Sequence, residues 1–230
     1  MIEAKGLSKR YFIGSEEIRA VDNVSLTIKK GEFVSIVGHS GSGKTTLLSL
    51  IGGLTRPDSG SINIDGIDIL SLNDDELSEY RNKKVSFIYQ FSSLIPTLTA
   101  LENVILPTIF SKKKIGGESS RNLIDKAKEL LSLVGLKDKF NVYPSQLSGG
   151  QQRRVAIARA FINDPELVLA DEPTGDLDED TEREVLDLFE RFNREKGITF
   201  ILVTHNRELA RGAKRRFQMI SGRINEVLQS

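Results

Sequence analysis

The segment Gly38–Thr45 has the residue types and spacing of a loop that binds phosphate groups. It reads G-H-S-G-S-G-K-T, follows an apolar β-prone run and precedes a helical pattern. Glycines let the backbone curl so that successive amide groups point inward at phosphate oxygens, and a helix start adds partial positive charge. A glycine-rich turn with an accidental lysine is the alternative, but the strand and helix context favours phosphate binding.

Two side chains of this loop have predicted roles toward a nucleoside triphosphate. Lys44 can neutralise charge between the β- and γ-phosphates, and the Thr45 hydroxyl can ligate Mg²⁺. His39 occupies a variable position of the pattern and is interpreted as a tolerated side chain rather than a catalyst. The predicted nucleotide contacts of this segment are Gly38, His39, Ser40, Gly41, Ser42, Gly43, Lys44, Thr45 and Thr46.

Two adjacent carboxylates end an apolar run in the last third of the chain. Asp171 and Glu172 follow the predicted strand 167–170, and ligands bind at the carboxyl ends of strands in open α/β sheets. Asp171 is suited to hold Mg²⁺ through water, because this small hard cation prefers oxygen ligands and keeps much of its hydration. Glu172 is suited to act as a general base or to orient an attacking water. An exposed turn after a core strand is the alternative, which the phosphate loop disfavours.

A second amide-rich helix start lies in the segment Leu147–Gln151, which reads L-S-G-G-Q. Ser148 is a good N-cap, and its glycine neighbours expose backbone donors to an anion. The next dozen residues are predicted to form a helix with Val155, Ala158 and Ile162 on its apolar face. The predicted nucleotide contacts of this segment are Ser148, Gly149, Gly150 and Gln151.

The phosphate loop, the L-S-G-G-Q signature and the acidic strand end, in this order, resemble the nucleotide-binding domain of ABC transporters, and the likeness covers nearly the whole chain. In that family the signature of one subunit closes over the γ-phosphate held by the phosphate loop of the other. The resemblance therefore implies hydrolysis of ATP with Mg²⁺, an ATP-dependent homodimer with two composite sites, and a separate integral-membrane permease subunit. Spacing alone leaves open whether the signature acts within its own chain.

Three further positions resemble functional residues of the family. Tyr11 corresponds to the aromatic residue that stacks on adenine, with an ordinary edge-strand tyrosine as the alternative. Gln90 corresponds to the glutamine that reaches Mg²⁺ and the attacking water. His205 corresponds to the histidine that contacts the γ-phosphate and supports the catalytic glutamate, although a lone histidine is usually structural. The resemblance thus gives Lys44, Gln90, Glu172 and His205 as catalytic residues, and Thr45, Gln90 and Asp171 as metal ligands.

Within the family, the chain looks most like the branch of lipoprotein-releasing and macrolide-exporting ATPases, which implies export or extrusion of a lipoprotein or peptide. Phe91 stands where several relatives carry a second glutamine, and this leaves the subgroup open. Gly175–Asp178 matches a loop along the dimer interface, and on local grounds is an acidic turn that caps the helix from Thr181. The likeness to the branch rests on Phe87–Phe91, Leu94–Pro96, Leu98–Val104 and Pro173–Asp178.

The elements that position these residues follow from hydrophobic periodicity. Predicted strands and helices alternate in the first and last thirds, which indicates an α/β fold with a mostly parallel sheet covered by helices on both faces. Predicted strands are 24–28, 33–37, 61–64, 85–89, 167–170 and 199–203, with a terminal hairpin around 221–222; predicted helices are 45–51, 123–134, 181–196 and 207–214.

The predicted organisation is a single ABC ATPase domain, residues 1–230. It comprises a P-loop NTPase core with an N-terminal antiparallel β subdomain, at about 1–90 and 160–230, and an inserted helical subdomain with the signature, at about 91–159. Phe91, Leu94, Ile95, Pro96 and Leu98 form either a groove for a helix of the permease or the core of the helical subdomain; the sequence leaves both open.

Composition narrows the partners. Lys plus Arg and Asp plus Glu number 32 each, so the overall charge gives no reason to expect a nucleic acid partner. The chain has no cysteine, which excludes disulfides, Cys-rich zinc sites and thiol nucleophiles. No apolar run approaches the ~20 residues that span a bilayer, and Met1–Lys5 lacks the features of a signal peptide. Together with the permease partner that the resemblance implies, these features give the cytoplasmic face of the cell membrane as the expected location, with the chain bound peripherally.

Other classes of ATPase share this nucleotide-binding core and are alternatives to the transporter interpretation. DNA-maintenance relatives insert long coiled coils between phosphate loop and signature, whereas this interval is about a hundred residues without sustained heptads. Translation-factor relatives normally carry two ATPase domains on one chain, whereas this sequence has one. A nucleotide-gated regulatory or mechanical module of a membrane signalling complex stays open, because its ATP chemistry would be the same.

Overall fold

The structure is a computed structural model, and it describes residues 1–110, 118–175, 177–205 and 212–227. The strands are β1 (Ile2–Ile13), β2 (Glu16–Ile28), β3 (Phe33–Val37), β4 (Ser59–Ile64), β5 (Ile67–Asp68), β6 (Val85–Ile88), β7 (Leu167–Asp171), β8 (Thr199–Thr204), β9 (Arg215–Ile220) and β10 (Arg223–Val227). The α-helices are α1 (Lys44–Ile51), α2 (Asp74–Lys84), α3 (Ala100–Ile105), α4 (Glu118–Leu133), α5 (Gly149–Ala160) and α6 (Glu179–Lys196), and short 3-10 turns cover Leu106–Phe110 and Pro144–Gln146.

The central sheet has six strands in the order β10-β9-β3-β8-β7-β6. Strands β9, β3, β8, β7 and β6 run parallel, and β10 closes one edge as the antiparallel arm of a hairpin. Strand β8 lies between β3 and β7. The carboxyl ends of these three parallel strands are therefore neighbours, and the loops that follow them meet at one edge of the sheet.

A second sheet, entirely antiparallel, has the order β2-β1-β4-β5 and is formed by the N-terminal part of the chain. Its inward residues share one hydrophobic core with α1 and one face of the central sheet. A second core covers the opposite face of the central sheet and includes residues of α3, α4, α5 and α6.

Strand β8 illustrates why both faces of the central sheet are covered. Phe200 belongs to the core on the side of α5 and α6, whereas its neighbour Ile201 belongs to the core on the side of α1. Successive side chains of a strand point to opposite faces, so the continuous apolar run 200–203 of β8 must be covered on both faces. The predicted α/β fold, with its mostly parallel sheet and N-terminal antiparallel sheet, is confirmed.

Several predicted boundaries differ from the structure. Helix α4 begins at Glu118, five residues before the predicted start, and α5 ends at Ala160, so Ile162 lies beyond the helix on whose apolar face we expected it. The predicted strand 85–89 ends at Ile88. Most of the predicted helix 207–214 lies outside the described residues, and 212–214, which are described, are not α-helical. No helix within the described ranges is long and apolar enough to cross a bilayer.

Candidate functional site

The phosphate loop joins β3 to α1, and its backbone requires glycine at two positions. Gly43, immediately before α1, has a φ of 104°, and a Cβ there would lie 1.9 Å from the carbonyl oxygen of Ala20. A Cβ on Gly38 would lie 2.4 Å from the carbonyl oxygen of Met219. A side chain at either position would therefore displace the loop from the strand beside it.

Lys44 is a buried cation at the first position of α1. Its Nζ donates hydrogen bonds to the carbonyl oxygens of Gly38, at 2.8 Å, and His39, at 2.9 Å. Burial lowers the pKa of Lys44, whereas the nearby carboxylates of Glu172 and Asp171 act to raise it. The ammonium thus lies inside the loop and close to both acidic residues, where it can compensate the charge of a phosphate.

Asp171, the last residue of β7, is buried and hydrogen-bonds to the side chain of Thr45. Burial raises the pKa of Asp171, while Thr45 and Lys44 lower it and Glu172 raises it further. The pair sets a carboxylate beside a hydroxyl, and such hard oxygen donors suit Mg²⁺. Gln90, an exposed residue just after β6, lines the same cleft. The three predicted metal ligands are therefore brought together.

The carboxylate of Glu172 is fixed by the end of β8. Its Oε2 accepts a hydrogen bond from the Thr204 hydroxyl at 3.0 Å, and its Oε1 accepts one from the backbone N–H of His205 at 2.8 Å. Nδ1 of His205 also lies 2.8 Å from Oε1. The Glu172 side chain is 14% exposed, whereas that of His205 is 71% exposed. The carboxylate is held in one orientation while the imidazole remains accessible.

Glu172 also has an unusual backbone conformation. Its φ of 46° lies in the left-handed region, which residues other than glycine rarely adopt. Its N–H donates to the carbonyl oxygen of Val203 at 2.9 Å, and its carbonyl oxygen accepts from Gly175 at 3.3 Å and from Arg153 at 3.1 Å. Local strain of this kind persists only where the surrounding structure enforces it, and functional sites are where it concentrates.

These groups surround a cleft of about 550 Å³. Ile18 and Ala20 of β2 form one wall of it. Tyr11 pairs with Ile18 across β1 and β2, so its side chain lies on the same face, and it is 42% exposed. Tyr11 is thus beside the cleft rather than part of its lining. The lining comprises Ile18, Ala20, His39, Ser40, Gly41, Gly43, Lys44, Thr45, Thr46, Gln90, Asp171, Glu172 and His205.

Two predicted contacts of the phosphate loop are absent from the lining of the cleft. Ser42 is buried, and its hydroxyl is without a hydrogen-bond partner among the described residues. Its backbone carbonyl accepts from Gly222 at 3.0 Å. Gly38 faces Met219, as the close approach of its hypothetical Cβ indicates. Both residues support the loop from behind in this conformation.

The signature segment lies away from the phosphate loop of its own chain. Ser148 caps α5 by accepting a hydrogen bond from the Gln151 N–H at 3.2 Å, and Gln151 bonds back to the Ser148 N–H at 3.0 Å. None of the four residues 148–151 belongs to the described lining of the cleft. The structure therefore does not bring the two amide-rich helix starts together within one chain.

The acidic turn before α6 behaves as its local sequence predicts. Asp178 is the N-cap of α6 and accepts hydrogen bonds from the N–H of Thr181 at 3.0 Å and from its hydroxyl at 2.8 Å. These bonds lower the pKa of Asp178. Asp176 lies outside the described residues. A Cβ on Gly150 would lie 3.4 Å from the Leu177 side chain, so this turn runs beside the signature helix.

Four residues of the site were missed by the sequence analysis. Ile18 and Ala20 alternate along β2 and could have been identified from that period. Thr204 precedes His205 directly, but its contact with Glu172 depends on the pairing of β7 with β8. Arg153 lies on a helix for which the sequence predicts an apolar face, but no local signal shows that this arginine contacts Glu172.

The segment after Gln90 combines the two interpretations that the sequence left open. Phe91 is 73% exposed, and Ile95 and Pro96 are also exposed. Leu94 is half-buried and packs against the core that contains α3, α4 and α5, while Leu98 is half-buried. The segment therefore presents an apolar surface on one side and contributes to the core on the other.

Comparisons with known proteins identify the family to which this arrangement belongs. The sequence pattern described as "ABC transporter" matches residues 21–175. The chain belongs to the ABC transporter family. This confirms the predicted resemblance, which rested on the phosphate loop, the signature and the acidic end of β7.

Two relatives of this ABC transporter chain fall in the branch that the sequence indicated. The chain is 48% identical over 204 residues to the lipoprotein-releasing system ATP-binding protein LolD 1 of Chlorobium chlorochromatii, a match that covers 89% of this chain and 81% of that protein. It is 45% identical over 226 residues to the macrolide export ATP-binding/permease protein MacB of Rhodopirellula baltica. That match covers 98% of this chain but 33% of the relative, so the chain spans about a third of that protein's length.

A solved structure has the same fold throughout. It is the dimeric, post-hydrolysis state of the ATP-binding cassette MJ0796 bound to ADP and Pi, and MJ0796 is a protein of Methanocaldococcus jannaschii. The TM-score is 0.92 at 43% identity, and the match covers 100% of both chains. This agreement establishes the fold of the whole described chain as that of an ATP-binding cassette.

Proposed function

We propose that this chain is the ATP-hydrolysing subunit of an ABC transporter and that it drives a separate membrane permease. The observation that carries this proposal is the fixed Glu172 carboxylate in the lining of a cleft that also contains the phosphate loop. Three contacts from Thr204 and His205 orient the carboxylate, and Lys44 lies near it. A merely nucleotide-binding protein has no need of an oriented base at this position.

The proposed reaction is the hydrolysis of ATP to ADP and phosphate. Glu172 accepts a proton from a water molecule, the water oxygen forms a bond to the γ-phosphorus, and the bond from that phosphorus to the bridging oxygen breaks. Gln90 orients the water, while Lys44 and the N–H groups of the phosphate loop offset charge on the phosphoryl oxygens. His205 keeps Glu172 in place through Nδ1, and its exposed imidazole lies where it can contact the γ-phosphate.

A magnesium ion fits the oxygen donors of the cleft. Thr45, Asp171 and Gln90 are the side chains that would hold it, directly or through water, and the hydrogen bond between Thr45 and Asp171 supports this assignment. Bound there, Mg²⁺ would add positive charge next to the phosphate oxygens.

The proposed site is composite and needs two copies of the chain. Ser148, Gly149, Gly150 and Gln151 form a capped helix start outside the cleft of their own chain, with Ser148 and Gly149 exposed. Such a start favours anions, and a second copy can bring it over the γ-phosphate. The dimeric state of the MJ0796 cassette with ADP and Pi supports this arrangement. Tyr11, beside the cleft, would stack on the adenine.

The permease partner and the direction of transport follow from the relatives. Proteins named for lipoprotein release and macrolide export support a role in export or extrusion, with the chain bound at the cytoplasmic face of the membrane.

We propose that the catalytic core and β subdomain, about 1–90 and 160–230, hydrolyse ATP. The helical subdomain, about 91–159, then offers its exposed Phe91 and Ile95 to a permease helix. Phe91→Asp should abolish permease capture and leave basal ATP hydrolysis intact.

The test of this function is ATP turnover by the purified chain with three variants. Glu172→Gln and Lys44→Ala should each lower kcat by about 100-fold or more, because one loses the base and the other a charge on the phosphates. Glu184→Gln, an exposed carboxylate on α6, is the matched control and should retain wild-type turnover. Equal turnover by all four proteins would refute hydrolysis at this site.

A further inference from the structure

Arg153 is a buried cation on the signature helix. It lies five residues after the N-cap Ser148, which corresponds to about 7.5 Å along the axis of α5. Arg153 is 2% exposed. Its Nη1 donates to two backbone carbonyl oxygens outside the helix, that of Glu172 at 3.1 Å and that of Tyr89 at 3.3 Å. One side chain of α5 therefore touches both segments that carry the proposed water-activating groups.

The two carbonyls adjoin the residues that act on the water. Tyr89 immediately precedes Gln90, so a shift of its peptide moves the Gln90 side chain. Glu172 is the proposed base itself, and its backbone has the strained φ of 46°. A contact to its carbonyl helps to hold that conformation. A guanidinium is always charged and donates through a rigid planar group, which suits it to fix two carbonyls at once.

A second arginine of α5 contacts the loop after β6 that contains Gln90, here called the Gln90 loop. Arg153 contacts this loop just before Gln90, and the second arginine contacts it just after. Arg159 donates to the carbonyl oxygens of Ser92, at 2.8 Å, and Ser93, at 3.0 Å. Helix α5 thus holds the Gln90 loop on both flanks. The hydrogen bond of Arg153 to Glu172 adds the second catalytic segment to the same rigid helix.

We propose that Arg153 is a positioning residue that couples the signature helix to the water-activating residues Glu172 and Gln90 of its own chain. This rests on the proposed composite site, in which the tip of α5 contacts the nucleotide held by the partner subunit. A tip that settles on that nucleotide moves α5 as a rigid body, and Arg153 transmits the movement to Glu172. The nucleotide at one site thereby sets the geometry of the base at the other.

The test replaces Arg153 by methionine and by lysine. Arg153→Met keeps an unbranched apolar stem and removes both hydrogen bonds, and Arg153→Lys keeps the charge and a single flexible donor group. The matched control is Arg154→Met, because Arg154 lies next to Arg153 and its Nη1 donates to the Val134 carbonyl within the helical part of the chain. Each variant is assayed for kcat, KM for ATP and thermal unfolding.

If Arg153 couples the signature helix to the base, its loss should change kcat and leave KM for ATP nearly unchanged. Arg153→Met should lower kcat by about 10- to 100-fold through misplacement of the base, with KM within about twofold of wild type. Arg153→Lys should recover part of the lost kcat, and Arg154→Met should match wild type. In a Glu172→Gln background, Arg153→Met should dimerise with ATP as readily as Glu172→Gln alone, because the phosphate loop and the signature tip are unchanged.

Other outcomes refute the coupling. Wild-type kcat in Arg153→Met, an equal loss in Arg154→Met, or a loss of ATP-driven dimerisation would show that Arg153 does not position the base. If Arg153→Met fails to fold, the split between kcat and KM in Arg153→Lys decides the question. Failure of wild-type protein itself to hydrolyse ATP or to dimerise would refute the proposed function instead, which separates the two ideas.

Discussion

Asn103 of α3 hydrogen-bonds through its side chain to the backbone of the segment that follows Gln90. It is fully buried, and its Nδ2 lies 3.1, 2.9 and 3.0 Å from the carbonyl oxygens of Ile95, Leu98 and Thr99, respectively. Its Oδ1 accepts from the Ile95 N–H at 2.8 Å. The amide has two N–H groups, so these contacts correspond to one accepted and two donated hydrogen bonds, one of them shared.

The cost of Asn103→Leu follows from which groups lose their partners. The Ile95 carbonyl also accepts from Leu98 N, and the Thr99 carbonyl accepts from Asn103 N, so both keep a backbone donor. The Ile95 N–H and the Leu98 carbonyl lose the partner that Asn103 provides. An unsatisfied buried group costs about 1–3 kcal/mol, and leucine burial offsets part of this, so we expect a loss of about 3 kcal/mol in unfolding free energy.

Denaturant unfolding followed by circular dichroism measures this loss. The control is Thr108→Val, since Thr108 is also buried and donates one described hydrogen bond, to the Ile105 carbonyl at 2.8 Å. The control should lose about 1 kcal/mol. If Asn103→Leu loses less than about 1 kcal/mol, or no more than Thr108→Val, the assignment of Asn103 as the organiser of this segment is wrong.

Three further predictions concern pH, the phosphate loop and the adenine. Two lysines lower the pKa of Glu166 from its ordinary 4.5. The charged carboxylate therefore stabilises the fold above pH 4.5, and this contribution is lost as the pH falls through the lower pKa of the folded state. Glu166→Gln lacks this contribution, so its unfolding midpoint should drop less than that of the wild type between about pH 6 and about pH 3. Gly43→Ala should weaken binding of a fluorescent ATP analogue by at least about tenfold, and more than Gly41→Ala, whose Cβ meets no atom within 4 Å. Tyr11→Ala should raise KM for ATP by up to about tenfold at unchanged kcat, whereas Phe12→Ala, on the opposite face of β1, should not; equal effects would contradict stacking.

Sequence alone sufficed for the parts of the fold in which chemistry and periodicity coincide. Strand β3, the phosphate loop and α1 follow one another within 33–51, and an apolar run, a glycine pattern and a helical period each indicate the same arrangement. The uninterrupted apolar runs 167–170 of β7 and 200–203 of β8 indicate burial on both faces. Strand β1 was harder to predict, because irregularities between Ala4 and Arg10 interrupt its alternation.

The parts of the site that escaped prediction depend on contacts between distant segments. Glu172 was identified from its place after β7, but its orientation depends on Thr204, which is brought beside it by strand pairing. Arg153 contacts Glu172 because α5 packs beside the ends of β6 and β7; the apolar face of α5 indicates burial but not which backbone groups Arg153 meets. The location of the signature outside its own chain's cleft likewise required the fold.

The claim on which the account depends is that the phosphate loop of one copy and the signature of another form each site. Lys44→Ala disables the phosphate loop, and Ser148→Arg blocks the signature with a bulky cation; either homodimer should be inactive. A heterodimer of the two variants contains one intact site, because the wild-type loop of one copy meets the wild-type signature of the other. An equimolar mixture, half of it heterodimers, should regain up to about a quarter of wild-type ATP turnover.

The contrary result is equally specific. If the loop and signature acted within one chain, every chain in the mixture would carry a disabled site and turnover would stay at the level of the separate variants. Absence of recovery, with both variants folded and a heterodimer detected by native mass spectrometry in the presence of ATP, would contradict the composite site. Recovery would establish it.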